Sequence, residues 1–115
     1  MIEKTVLNYL IGKNITGIMD NVFMEVPETP PSEYLLVEKT GGGEQNRIEK
    51  GMLAIKSISK TSLLMAAELN EAVKDVMRDM ADETDIYSCK LNSDYNFTDT
   101  TTKEYRYQAV FNFSY

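Results

Sequence analysis

The chain has no histidine, one cysteine, three prolines and six glycines among its 115 residues. Without histidine it lacks the commonest general base and the commonest neutral metal ligand. With Cys89 alone no internal disulfide can form, which fits a reducing compartment. Uncharged apolar runs such as Ser62 to Ala67 fall far short of the roughly 20 residues needed to cross a bilayer, so no membrane partner is expected. The start, Met1-Ile2-Glu3-Lys4, has neither the basic residues nor the apolar run of a signal peptide. Basic excess is missing too: 12 Lys and Arg against 18 Asp and Glu leave a net charge of −6. A general nucleic-acid binder needs a basic surface that releases counterions from phosphates. Here the basic residues are scattered, and the nearest to a cluster, Lys50, Lys56 and Lys60, reads as the solvated ends of a strand and a helix.

What is present is globular, 43% hydrophobic and 26% charged. The length fits one domain spanning residues 1–115, which buries about two-thirds of its unfolded surface. The densest local information lies between Val22 and Lys50. Two apolar segments, Asn21–Val26 and Tyr34–Thr40, flank a stretch holding Pro27, Pro30 and Pro31, which cannot donate to a sheet ladder. Gly41-Gly42-Gly43 follows. Three glycines are costly to order, so the expectation is strand, stiff turn, strand, then a mobile contact loop from Gly41 to Lys50.

Around that segment the periodicities are plain. Ile2, Val6, Tyr9 and Leu10 form the apolar stripe of a first helix, ended near Gly12 and Gly17. Gly51–Ile58 reads as a third strand. A long helix capped by Ser59 or Thr61 runs to about Met80, with Met65, Ala66, Leu69, Val73, Val76, Met77 and Met80 inward. Glu68, Glu71, Lys74, Asp75 and Arg78 face mostly outward. Asp82 to Asp85 break that helix. A last hairpin places Tyr87, Cys89 and Leu91 inward, then Tyr105, Tyr107, Ala109, Phe111, Phe113 and Tyr115 on one face of the final strand. The fold class is therefore α+β, order α-β-β-β-α-β-β. Its architecture is a two-layer sandwich with a mainly antiparallel sheet of about five strands and two helices on one face.

Chemistry is hard to find. Cys89 sits inward with no histidine to activate it and reads as a structural thiol. Asp79, Asp82, Glu83 and Asp85 lack the alternating ligands and central glycine of a calcium loop and read as a solvated helix end. The glycine triplet lacks the Lys-Ser/Thr of a phosphate loop. The sequons at Asn14 and Asn96 read as ordinary loop residues. No catalytic residue, metal or cofactor is expected, and the chain does not read as an enzyme. Arg106 and Gln108, set between tyrosines, have two open readings: an interface, or an ordinary exposed face. Met19, Met24, Met52, Met65, Met77 and Met80 read mostly as core filling.

The phrases Glu25-Val26-Pro27, Glu38-Lys39-Thr40-Gly41-Gly42 and Arg106-Tyr107-Gln108, in this order of elements, resemble the tail terminator proteins of long-tailed bacteriophages of lambda-type architecture. The resemblance runs from about Ile2 to Phe113. It implies a structural protein that caps the tail tube as a homo-oligomeric ring, typically six-fold, and joins the tail to the head connector. Its implied partners are itself, the tail tube protein, the connector proteins, and DNA passing through the lumen without specific binding. It implies a place in the virion after assembly in the host cytoplasm. A head-completion or connector protein of the same particle is the alternative; a small enzyme or a host-encoded binding module are rivals from other classes. A ring needs two different complementary patches on one subunit. The candidate interface residues are Gly41, Gly42, Gly43, Glu44, Arg47, Glu49, Arg106 and Gln108, with Glu44 and Glu49 also candidates for acid on the lumen side.

Overall fold

The computed structural model describes residues 1–15, 17–18, 20–45, 47–102 and 104–115. Helix α1 (Ile2–Gly12) buries Ile2, Val6 and Leu10, the stripe read from the sequence. Lys13 follows in ordinary helical geometry, and the chain then reverses through Asn14 (φ 50°) and Gly17 (φ 98°). Strand β1 is only Val22–Phe23, shorter than the expected Asn21–Val26. Met24 and Val26, which the longer strand would have included, lie outside β1 and are exposed.

Strands β2 (Glu33–Gln45) and β3 (Ile48–Ser59) form one long antiparallel hairpin. This corrects the expected loop from Gly41 to Lys50. Gly41 pairs with Met52, Gly42 with Gly51, Gly43 with Lys50, and Glu44 with Glu49. Ladder hydrogen bonds offset the entropy of ordering the glycines. The turn uses Arg47 at φ 66°, and Asn46 lies outside the described residues. Thr40 is skipped in the register as a bulge, and its hydroxyl donates to the Met52 carbonyl at 3.2 Å.

The long helix α2 (Leu63–Arg78) is capped by Ser62, whose Oγ accepts from the Met65 amide at 3.1 Å. Neither Ser59 nor Thr61 is the cap. Ser59 Oγ instead accepts from the amides of Thr61 and Ser62, and both hydroxyls donate to the Glu33 carboxylate. After Arg78 a single turn, α3 (Met80–Glu83), buries Met80 before β4 (Ser88–Asn96) and β5 (Tyr105–Ser114) close the fold.

The sheet order is β1-β2-β3-β5-β4, antiparallel except for the short β1–β2 pair. The expected class, α+β with a five-stranded, mainly antiparallel sheet and helices on one face, is the one observed. The parallel pair was not foreseen: the proline segment carries the chain back so that β2 starts alongside β1 in the same direction. Core residues of α1 and α2 pack with Leu35, Val37, Leu53, Ile55, Ala109, Phe111 and Phe113 on one side of the sheet. Burying such side chains contributes about 1.5–3 kcal/mol each against exposure, the main drive for this layer.

Two inward assignments are wrong: Tyr87, just before β4, is 71% exposed, and Leu91 on β4 is 46% exposed. The strand is an edge, and the core of α1 and α2 does not extend over those positions. Cys89 is half-buried against the core, as expected. Met77 and Met80 are core, Met52 and Met65 are half-buried, and Met19 lies outside the described residues.

Candidate interaction surface

The eight candidate residues fall in two places. Gly41, Gly42, Gly43, Glu44, Arg47 and Glu49 lie on the far part of the β2–β3 hairpin, whereas Arg106 and Gln108 lie at the other end of β5. Phe113, level with Gly42, is seven residues along β5 from Arg106, or roughly 24 Å at strand rise. The structure does not bring the two groups together.

At the hairpin end, Glu44 and Glu49 are direct cross-strand neighbours. Like charges so placed oppose pairing. Among the described residues neither forms an ion pair. A hollow of about 730 Å³ lies beside them, lined by Arg47, Glu49, Tyr115, Thr5 and Glu83 among others. A second, about 580 Å³, follows the glycines along the sheet and includes Lys50, Lys90 and Asn112. Both are open depressions rather than enclosed sites. At Gly51 space is tight: a Cβ there would lie 3.1 Å from the Tyr115 ring, which would have to shift slightly.

Arg106 belongs to a different constellation. Its guanidinium lies 4.7 Å from the centroid of Phe97, with Lys56 Nζ at 5.8 Å from the same ring, cation–π geometry in both cases. Lys56 pairs with Glu38 at 2.7 Å and Arg106 with Glu104 at 3.8 Å, so the patch is nearly neutral. Gln108 Nε2 donates to the Tyr95 hydroxyl at 2.6 Å. Lys56 is thus mid-sheet and engaged, not the solvated strand end read from the sequence. Phe97 was missed there because it stands in a non-periodic stretch next to a turn, with no pattern to mark it.

Also missed was the polar tie between α2 and β4. Asn70, buried on α2, donates to Asp94 at 3.0 Å, and Lys74 donates to the same carboxylate at 2.7 Å. Lys74 is therefore held against β4 rather than facing solvent. Its pairing with Asp94 raises its pKa and in turn lowers that of Asp94. On the opposite flank, Tyr9 reaches both the Val76 carbonyl and Glu83, and Lys13 pairs with Glu83. Burial first, then the Glu83 carboxylate, push the Tyr9 phenol up. Glu83, held low mainly by Lys13, fastens α1 to α3.

Burial pushes the Cys89 thiol up to about 12, so it stays protonated at neutral pH and is a poor nucleophile. Among the described residues no three His, Cys, Asp or Glu side chains converge as a metal site, and no helix is long and apolar enough to cross a membrane. What the surface offers is backbone: among the described residues, β2 beyond Leu36 and all of β4 are paired on one side only.

No protein-family model and no curated protein matches this chain. Among solved structures it is similar to a chain of the virion of a native gene transfer agent particle. The TM-score is 0.67 at 11% identity, with 90% of each chain covered. At that identity the likeness establishes a shared fold along nearly the whole chain.

Proposed function

We propose that this chain is a structural protein of a phage-type virion, forming a homo-oligomeric ring that caps the tail tube and meets the head connector. The observation that carries the reading is the fold likeness to a virion chain over 90% of both lengths. The resemblance of Glu25-Val26-Pro27, the glycine-triplet phrase and Arg106-Tyr107-Gln108 to tail terminators supports the finer assignment. A closing heterologous interface needs two different patches on one subunit, and the two sheet edges, β2 beyond Leu36 and β4, are different surfaces available for it. In this reading the ring needs no cofactor, and DNA passes through its lumen without specific contacts.

Native mass together with negative-stain imaging tests the proposal, with and without tail tube protein. The expected result is a closed ring that seats on the end of the tube. A monomer under every condition overturns it. A ring that binds the portal side and ignores the tube transfers the chain to the connector.

A further inference from the structure

The two unpaired sheet edges of this chain match one another. On β2 the Thr40 bulge lies between the buried half, which ends at Val37, and the exposed stretch Gly41–Glu44. On β4 a bulge at Asn92 likewise delimits the stretch Ser88–Leu91. Bulges interrupt pairing, so these are the segments free to extend a ladder. They also lie level. Gly42 pairs with Gly51, Gly51 with Phe113, and Phe113 with Cys89, a single row across four strands. The directions suit as well: β4 runs antiparallel to β5, β5 to β3 and β3 to β2, so β4 is antiparallel to β2.

We propose that the Gly41–Glu44 edge of one subunit pairs antiparallel with the Ser88–Leu91 edge of a second copy, continuing the sheet from subunit to subunit. The inference rests on the ring reading and names its interface. In level register Gly43 lies beside Ser88 of the next copy, Gly42 beside Cys89 and Gly41 beside Lys90. Each pair then shares a face of the pleat. Patches at equal height let successive subunits close into a ring, whereas offset patches climb into a filament. The composition fits too. The glycines carry no side chains of their own, although the flexible Lys39 side chain lies near Gly42, and they leave room for Lys90, Leu91 and Tyr87 of the neighbour, two of which are large exposed hydrophobics. Strand addition of this kind draws affinity from main-chain hydrogen bonds.

The test is a double variant, Gly43→Cys with Ser88→Cys. A Cβ at Gly43 meets nothing within 4 Å, so the site tolerates it. Inside one subunit the two positions are three strand spacings apart, roughly 14 Å, beyond the reach of a disulfide. Under oxidised glutathione the double variant gives a ladder on a non-reducing gel that ends at the ring and collapses on reduction, and a mixture of the two single variants gives a dimer. Each single variant alone gives neither. Gly43→Cys with Leu64→Cys, the latter on the exposed side of α2, is the control. A ladder no stronger than the control, from subunits whose native mass is still that of a ring, overturns the pairing and leaves the ring standing. A wild-type chain that is monomeric at every concentration removes both.

Discussion

Strand β2 changes character after Val37. From Tyr34 to Val37 it lies in the middle of the protein, with Leu35 and Val37 against the helices and Tyr34 buried on the opposite face against Phe23. From Glu38 to Glu44 every residue is exposed, three have no side chain, and the ladder to β3, helped by the Glu38–Lys56 pair and the Thr40 hydroxyl, keeps the strand in place. The same backbone pairing thus serves two purposes. In the first half side chains supply the stability. In the second the strand is carried by its partner, and its free edge stays available.

The largest expected effect comes from the buried half and the strand beneath it. Phe111→Ala should cost about 3–5 kcal/mol and Leu35→Ala or Leu69→Ala about 2–5, measured by urea denaturation. Losses under 1 kcal/mol would mean that the helix layer is not the source of stability. Next comes the junction that orders α2: Ser62→Ala should cost about 1 kcal/mol, while Thr61→Ala, which removes no helix cap, should cost less. Equal losses would restore Thr61 as a cap.

In the exposed half the sign should reverse. No glycine of the triplet needs a positive φ, and Gly43 has open space for a methyl group. Gly43→Ala should therefore leave the fold intact and raise stability by about 0.4–1 kcal/mol, through the unfolded chain. A fall of that size would show that the far hairpin is strained after all.

The smallest effect concerns Asp94 and Lys74. The folded Asp94 pKa lies below its ordinary 3.8, so the pair's contribution is complete above that value and fades as pH falls through the lower folded one. Lys74 lies above 10.5, so its part holds up to that value and fades as pH rises beyond it. Both groups keep only part of their contact with water, yet the pair sits at the protein surface, so the amount is about 0.2–1 kcal/mol. Asp94→Asn should flatten this share of the acid limb in denaturation curves taken at several pH values. Glu71→Ala, on the outer face of α2, should stay within about 0.5 kcal/mol.

Much of this was legible in the residues. The 3.6-residue stripes of Ile2-Val6-Leu10 and Ala66-Leu69-Val73-Met77, and the alternation of Ala109-Phe111-Phe113, placed both helices and the core face of β5. Burial imposes those periods on any chain that packs one face. The prolines marked only the segment between β1 and β2, since β1 ends at Phe23, before the first of them. Tertiary structure alone decided the rest. It paired the glycine triplet, since a ladder partner supplies hydrogen bonds that propensity does not count. It made β4 an edge and so exposed Tyr87 and Leu91, because alternation says which residues share a face but not whether another layer covers it. It joined Asn70, Lys74 and Asp94, and stacked Arg106 and Lys56 on Phe97, since such contacts depend on which strands become neighbours. It also set Gly42 level with Cys89, because register is fixed by pairing across four strands and no single strand encodes it.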